Sequence, residues 1–249
     1  MRAILLAAGL GTRLWPITTA TPKCLVPVHG RPLLDYWLDL LSGAGIERIL
    51  INTHHLAARV RDHVAASPWH AEVDLVHEPE LLGTGGTLVA NAAYVGPSPV
   101  LVAHADNLAG FDPRVLIAAH AARPRGSAMT MLTFRAEDPR ACGIVEQDDR
   151  GIVRAFHEKV AHPPGDIANA AVYILEPEVV AHACALGVPV LDFQTQVIPA
   201  FLGRILAVPT SGYHRDIGTL ASLEAAHREY PLPLRVARRN EAQRFGTRE

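Results

Sequence analysis

A short apolar run, Ala3–Ala8, ends abruptly at Gly9 and Gly11, and Arg13 follows at once. A second cation, Lys23, comes after a segment rich in proline and threonine, and Pro27 closes the stretch. An apolar run that stops at glycines reads as a buried strand whose carboxyl end opens into a turn. Glycines there let backbone N–H groups approach a ligand closely, and exposed N–H groups suit anions. Adding Arg13 and Lys23 makes a polyphosphate the natural guest. A dinucleotide-binding loop would need a third glycine where Leu14 stands. It would also need an acid ending the next strand, where the sequence reads Asn52-Thr53-His54-His55. A Walker-type loop would need Gly-Lys-Ser/Thr, which is absent. The plain alternative is a tight turn carrying a solvated arginine.

The periodicity after this loop constrains the fold. Residues 31–45 read as a helix, with Pro32 in its first turn and Leu33, Leu34, Trp37, Leu40 and Leu41 on an apolar face. Residues 46–52 read as a strand, 56–66 as an amphipathic helix and 73–77 as a strand. A β-α-β-α-β order implies an α/β sheet with parallel neighbours. A second glycine loop, Gly83-Thr84-Gly85-Gly86, is expected to open a helix over residues 87–94. In open α/β sheets ligands collect outside the carboxyl ends of the strands, so both glycine loops could face one site. Residues 99–103 form a continuous apolar strand, buried on both faces, that delivers Asp106 and Asn107 at its end. A carboxylate at that tip, beside a phosphate site, is a natural Mg²⁺ ligand. Asp112 precedes Pro113 and suits a helix cap. Further strands are expected at 128–134, 139–147, 152–157, 169–175 and 205–209, with helices at 177–184, 192–203 and 220–229.

Charge and cysteine content exclude some partners. A net charge of −2 over 249 residues implies no strongly basic face, so nucleic acid is not expected as a partner. No apolar run is long enough to cross a bilayer, so no membrane role is expected. Three widely spaced cysteines, Cys24, Cys142 and Cys184, suit neither a disulfide framework nor a zinc site and point to the cytoplasm. The thirteen histidines are scattered, and most are expected on the surface. His54 and His55 should point apart.

Gly9, Gly11, Thr12, Arg13, Leu14, Pro16, Thr18, Pro22, Lys23, Leu25 and Pro27 together resemble the signature of the sugar nucleotidyltransferases, the nucleotide-sugar pyrophosphorylases. The stretch from Glu78 to Leu88 is similar to that family's nucleotide-base loop, and Asp106 stands where the family binds metal. Residues 142–159 resemble a family hairpin, with Cys142 in place of Tyr and Val160 in place of Pro. Asn169–Leu175 resembles another family strand, with Ala171 in place of Gly, and Asp216-Ile217-Gly218-Thr219 matches the family's closing motif. The resemblance runs to about Tyr230 and looks most like the short guanylyltransferases for mannose 1-phosphate or a heptose 1-phosphate.

The resemblance implies a three-layer Rossmann-like nucleotidyltransferase fold with a mixed, mostly parallel central sheet. It implies one catalytic domain over residues 1–230, followed by a basic tail or peripheral helix over 231–249. The implied reaction joins an NTP, GTP before others, to a sugar 1-phosphate and releases pyrophosphate, with Mg²⁺. Arg13, Lys23, Asp106 and Asp216 would be catalytic, the two aspartates as metal ligands. Leu6, Ala8, Gly9, Gly11, Thr12, Arg13, Gly83, Thr84 and Gly85 would hold the nucleotide. Lys23, Asn107, Gly143, Glu158, Lys159 and Asn169 would hold the sugar phosphate. Uridylyl or thymidylyl transfer, CTP-dependent transfer to a non-sugar phosphate, and a non-catalytic nucleotide-sugar-binding relative stay open, as does a homodimer.

Overall fold

The computed structural model describes residues 1–231, so the basic tail expected over 231–249 lies, from 232 on, outside the described residues. In chain order the elements begin β1 (Arg2–Leu6), β2 (Pro27–Val28), β3 (Arg31–Pro32), α1 (Leu33–Gly43), β4 (Arg48–Thr53), α2 (Ala57–Ala65) and β5 (Val73–His77). Then come α3 (Gly83–Ala90), α4 (Ala92–Val95), β6 (Val100–His104), β7 (Asn107–Ala109), α5 (Pro113–Ala121) and β8 (Met129–Arg135). The hairpin β9 (Gly143–Gln147) and β10 (Val153–Glu158) follows, then β11 (Ile167–Leu175), α6 (Pro177–Ala185), β12 (Ile205–Pro209), β13 (His214–Asp216) and α7 (Leu220–Glu229). Among the described residues, no helix is long and apolar enough to cross a membrane.

The central sheet is ordered β5-β4-β1-β6-β11-β8-β12, with the β9–β10 hairpin joined to the start of β11. β1 pairs in parallel with β4 and β6, β4 with β5, and β8 with β12. β11 runs antiparallel to both β6 and β8, so one reversed strand sits inside an otherwise parallel row. The expected mixed, mostly parallel sheet is the one observed. Its layers follow from side-chain alternation. Ile4, Leu50, Val100, Val102 and Tyr173 face one core with Leu88, Val179, Val180 and Phe193. Ala3, Leu5, Ile49, Ile51, Leu101 and Val172 face the other, against Trp37, Leu38 and Leu41 of α1 and Val60 and Val64 of α2. Trp37 is almost fully buried, and its indole N–H donates to the Asn107 carbonyl at 2.8 Å. Burying such a side chain contributes roughly 2–3 kcal/mol, and the hydrogen bond fixes the chain just past Asp106.

Several element boundaries differ from expectation: α1 covers residues 33–43 rather than 31–45, β9 begins at Gly143 after a 3₁₀ turn at Pro139–Ala141, and the helix expected over 87–94 divides at Asn91 into α3 and α4. α3 starts at Gly83, so the second glycine segment is its first turn rather than a loop before it. The Leu191 carbonyl accepts the N–H groups of Gly85 and Gly86, at 2.8 and 3.1 Å, and satisfies donors a first turn leaves open. The helix expected over 192–203 is instead a π turn, Phe193–Val197, followed by a 3₁₀ turn, Ile198–Phe201. Pro199 has no N–H to continue an α-helical ladder. Twelve of the thirteen histidines keep appreciable exposed surface and one does not. His120 is buried, bonded to Thr130 Oγ1 at 2.8 Å and Glu176 Oε1 at 3.0 Å.

Candidate active site

β1 ends at Leu6, opposite Asn52 of β4 and His104 of β6, so the carboxyl ends of the central strands open onto one cleft. The first glycine turn enters there. Gly11 sits at φ +66°, and a Cβ on it would lie 2.9 Å from Thr18 Cγ2, so the turn requires glycine. The Thr18 hydroxyl donates to the Gly11 carbonyl at 2.7 Å and closes the loop on itself. Lys23 then begins a single 3₁₀ turn, Lys23–Leu25, whose Cys24 is buried against the second core. That anchorage drives the lysine inward, leaving it only 6% exposed.

Asp106 and Asp216 meet because β7 and β13 form a two-stranded ribbon in which Asn107 lies opposite Asp216. The N–H of Ile217 donates to the Asp106 carbonyl at 3.1 Å, and the N–H of Ala105 donates to Leu6 at 3.0 Å. Lys23 Nζ lies 2.6 Å from Asp106 Oδ2 and 3.2 Å from Asp216 Oδ1. Arg13 Nη2 lies 3.6 Å from Asp216 Oδ2. Four residues from distant parts of the chain thus share one charge cluster. Arg13 is mostly exposed, and its guanidinium can reach a ligand in the cleft.

Burial alone would lower the pKa of Lys23, but Asp106 and Asp216 outweigh it and raise that pKa above its ordinary value. Burial alone would raise the Asp106 pKa; Lys23 and His104 outweigh it and hold the carboxyl below its usual range. His104 is pushed down by burial against the pull of Asp106, and burial takes His214 to about 4. At neutral pH Lys23 is therefore an ammonium held against the Asp106 carboxylate, flanked by neutral imidazoles.

The donor set suits Mg²⁺. Asp106 Oδ1 is buried and takes no hydrogen bond among the described residues, so its lone pairs are available. Asp216 is half exposed and adds a second carboxylate. No group of three or more His, Cys, Asp or Glu arranged for a metal occurs among the described residues. Two carboxylates with substrate phosphates completing the shell is the usual manner of holding Mg²⁺.

The other expected residues fall around this cluster. Gly83 has φ +77°, and a Cβ there would meet the Leu191 carbonyl oxygen at 2.5 Å. The Thr84 hydroxyl oxygen accepts the Phe193 N–H at 2.9 Å, so part of this turn's polar capacity is spent internally. Glu158 ends β10 opposite Gly143, Lys159 follows it and donates its N–H to the Cys142 carbonyl at 3.2 Å, and the two side chains pair at 3.1 Å. Asn169 is buried; its amide donates to the Tyr173 hydroxyl at 2.6 Å, and its carbonyl accepts the Ala171 N–H at 2.9 Å. It thereby shapes a bulge in β11, where Ala171 adopts φ +54°. One hydrogen of its amide and one lone pair remain for a ligand. Asn107 is buried next to Asp106, and its amide lies 3.4 Å from the Ala170 carbonyl.

Sequence reasoning passed over Asn52, the partner of Ala7, and His104 and His214, which stand two residues before each aspartate. The repeated His-x-Asp spacing was a visible signal.

The sequence matches the nucleotidyl transferase family over residues 2–231. A mannose-1-phosphate guanylyltransferase of Mycobacterium tuberculosis is 32% identical over 225 residues, 87% of this chain and 61% of that protein. A glucose-1-phosphate thymidylyltransferase of Streptomyces griseus is 31% identical over 240 residues, 92% of this chain and 65% of that protein. The chain therefore spans about three-fifths of the length of these curated relatives. Among solved structures, HddC from Yersinia pseudotuberculosis superposes with a TM-score of 0.77 at 27% identity, covering 92% of this chain and 99% of that one. A glucose-1-phosphate thymidylyltransferase described as putative, from Bacillus anthracis, shares the fold with a TM-score of 0.83 at 24% identity, covering 92% and 94% of the two chains.

Proposed function

Because the chain belongs to the nucleotidyl transferase family, we propose that it transfers a nucleotidyl group from an NTP to a sugar 1-phosphate and releases pyrophosphate. The observation that carries this reading is the cluster of Lys23 between Asp106 and Asp216, with Arg13 beside it, at the mouth of a glycine turn. A phosphate oxygen of the sugar 1-phosphate attacks the α-phosphorus in line. The bond to the β-phosphate oxygen breaks, and pyrophosphate carries the electrons away. No protein nucleophile is required, so the residues supply position and charge. Two hydrogens of the Lys23 ammonium face the aspartates, and the third, which has no acceptor among the described residues, can go to an α-phosphate or sugar-phosphate oxygen. Arg13 neutralises the departing pyrophosphate. Asp106 and Asp216 would hold Mg²⁺, which would neutralise phosphate charge when bound. Lys159 pairs with the sugar phosphate while Glu158 and Asn169 accept or donate to hydroxyls.

GTP with a mannose- or heptose-type 1-phosphate is the preferred substrate pair. The M. tuberculosis relative and the fit to HddC, also solved in complex with GMP-PN, support it. Thymidylyl transfer is the second reading, favoured by the S. griseus relative. Crossing each NTP with a panel of sugar 1-phosphates and Mg²⁺, and following pyrophosphate, tests the proposal. Release that needs both substrates supports it, and release with no pair overturns it.

A further inference from the structure

The two glycine turns belong to different elements, yet one short segment grips both. Asn52 is 3% exposed, near the end of β4. Its side-chain oxygen accepts the N–H of Ala7 at 2.7 Å, the first backbone donor past β1. Only the amide oxygen can take that N–H, which fixes the orientation of the group. Both hydrogens of its Nδ2 are then donated, to Glu78 Oε1 at 2.9 Å and Thr87 Oγ1 at 3.0 Å. The Thr87 hydroxyl donates in turn to Glu78 Oε1 at 2.7 Å. Thr87 lies one turn into α3, the helix that begins with Gly83.

The residues after Asn52 repeat the pattern. The Thr53 carbonyl accepts the Glu78 N–H at 2.8 Å. His54 Nδ1 donates to the Glu78 carbonyl at 2.7 Å, and His55 Nε2 donates to the Thr18 carbonyl at 2.9 Å. His54 and His55 do point apart, one towards each turn. Thr18 itself closes the first turn through Gly11. Glu78 is 4% exposed and pairs with no cation among the described residues. A buried acidic side chain held only by neutral donors is a costly way to gain stability, which an apolar contact would supply more cheaply. It does, however, fix position in a way that an apolar contact does not.

We infer that Asn52–His55, with Glu78 and Thr87, is a positioning brace that sets the gap between the two glycine turns and so the width of the nucleotide seat. The inference rests on the nucleotidyl-transfer reading, because the seat it shapes is the NTP's. These residues touch the turns, not the reacting atoms. The brace acts on nucleotide affinity and leaves the sugar-phosphate side, built from β9, β10 and β11, unaltered.

The test compares Thr87→Val, which keeps the shape and removes the hydroxyl, with Thr87→Ser, which keeps the hydroxyl. His55→Leu removes the tie to Thr18 at a partly exposed position and serves if the valine variant does not fold. Titration calorimetry measures the Kd of ATP, GTP, CTP, UTP and dTTP with Mg²⁺, and separately of mannose 1-phosphate, on protein whose urea midpoint is known. Thr87→Val should weaken the best-bound NTP about tenfold, as loss of one or two buried hydrogen bonds does. His55→Leu should weaken it about threefold, Thr87→Ser should stay within about twofold, and mannose 1-phosphate should bind all variants alike. Folded Thr87→Val or His55→Leu with unchanged NTP affinity would overturn the brace. So would equal losses in the valine and serine variants with weakened mannose 1-phosphate, which is the mark of general loosening. Wild-type protein that binds no NTP would overturn both readings. Wild-type protein that binds NTP but releases no pyrophosphate would overturn only the transfer reading, and the variant affinities would still decide the brace.

Discussion

Replacing Lys23 by methionine keeps the length and apolar stem of the side chain and deletes only its charge and donors. Asp106 then loses the partner of Oδ2 at 2.6 Å, while its Oδ1 already has none. Breaking a buried pair this way typically costs about 3–5 kcal/mol because the remaining charge is left uncompensated, and the low end applies here because the Asp106 side chain keeps 29% of its surface exposed. That is a large share of the ~5–15 kcal/mol by which a domain is stable. The pH of the comparison follows from the signs. The folded pKa of Lys23 is raised, so its contribution is complete below its ordinary value and fades only as pH rises through the folded one. That of Asp106 is lowered, so its contribution is complete above the ordinary carboxyl value and fades as pH falls. At pH 7 both are fully present. Urea unfolding at pH 7, followed by circular dichroism, should therefore show Lys23→Met destabilised by roughly 3 kcal/mol. In the double variant Lys23→Met, Asp106→Asn, no charge is left stranded on Asp106, and it should recover more than half of the loss. A single-variant cost under about 1 kcal/mol, or a double variant no better than the single, would refute the claim that Lys23 neutralises a partly buried carboxylate.

Three further outcomes are expected. Asp106→Asn and Arg13→Ala should each lower turnover by about a hundredfold or more with the fold intact, read by pyrophosphate release; near-normal turnover removes that residue from the mechanism. His214, depressed to about 4 by burial, should make the protein lose up to about 3 kcal/mol as pH falls from its ordinary value of 6.5 towards 4, since the unfolded chain then takes a proton the folded one refuses. A His214→Gln variant should flatten that part of the stability profile, and an unchanged slope would exclude His214 as its source. Gly11→Ala should cost about 1–2 kcal/mol in thermal unfolding and weaken NTP binding, because the residue needs φ +66° and its Cβ would crowd Thr18; a neutral substitution would mean that the turn relaxes freely.

Arg13 stands just past a glycine turn and Asp106 just past an apolar strand, where periodicity breaks and a polar side chain is conspicuous, whereas Lys23 follows a proline- and threonine-rich segment and Asp216 a polar one, and the resemblance of their motifs singled them out. The parts that stayed hidden lack such a contrast. Asn52 closes an apolar strand and looks like its polar terminus, yet its meaning depends on Glu78 and Thr87, 26 and 35 residues away. The early start of α3 depends on the Leu191 carbonyl, more than a hundred residues on, satisfying Gly85 and Gly86. Local propensity disfavours glycine in a helix, and only that distant partner reverses the expectation. The burial of His120 depends likewise on Thr130 and Glu176. The reversal of β11 within the sheet follows from how distant strands pair, which no window of sequence displays.

The central claim is that a sugar-phosphate oxygen becomes bonded to the α-phosphorus of an NTP while pyrophosphate leaves. The measurement that tests it most directly is the mass spectrum of products formed from a sugar 1-phosphate whose non-bridging phosphate oxygens carry ¹⁸O. The account predicts a nucleoside diphosphate sugar that retains all of the label, and pyrophosphate that contains none. Absence of a labelled nucleotide sugar with every NTP and sugar tested, or label in the pyrophosphate, would contradict it.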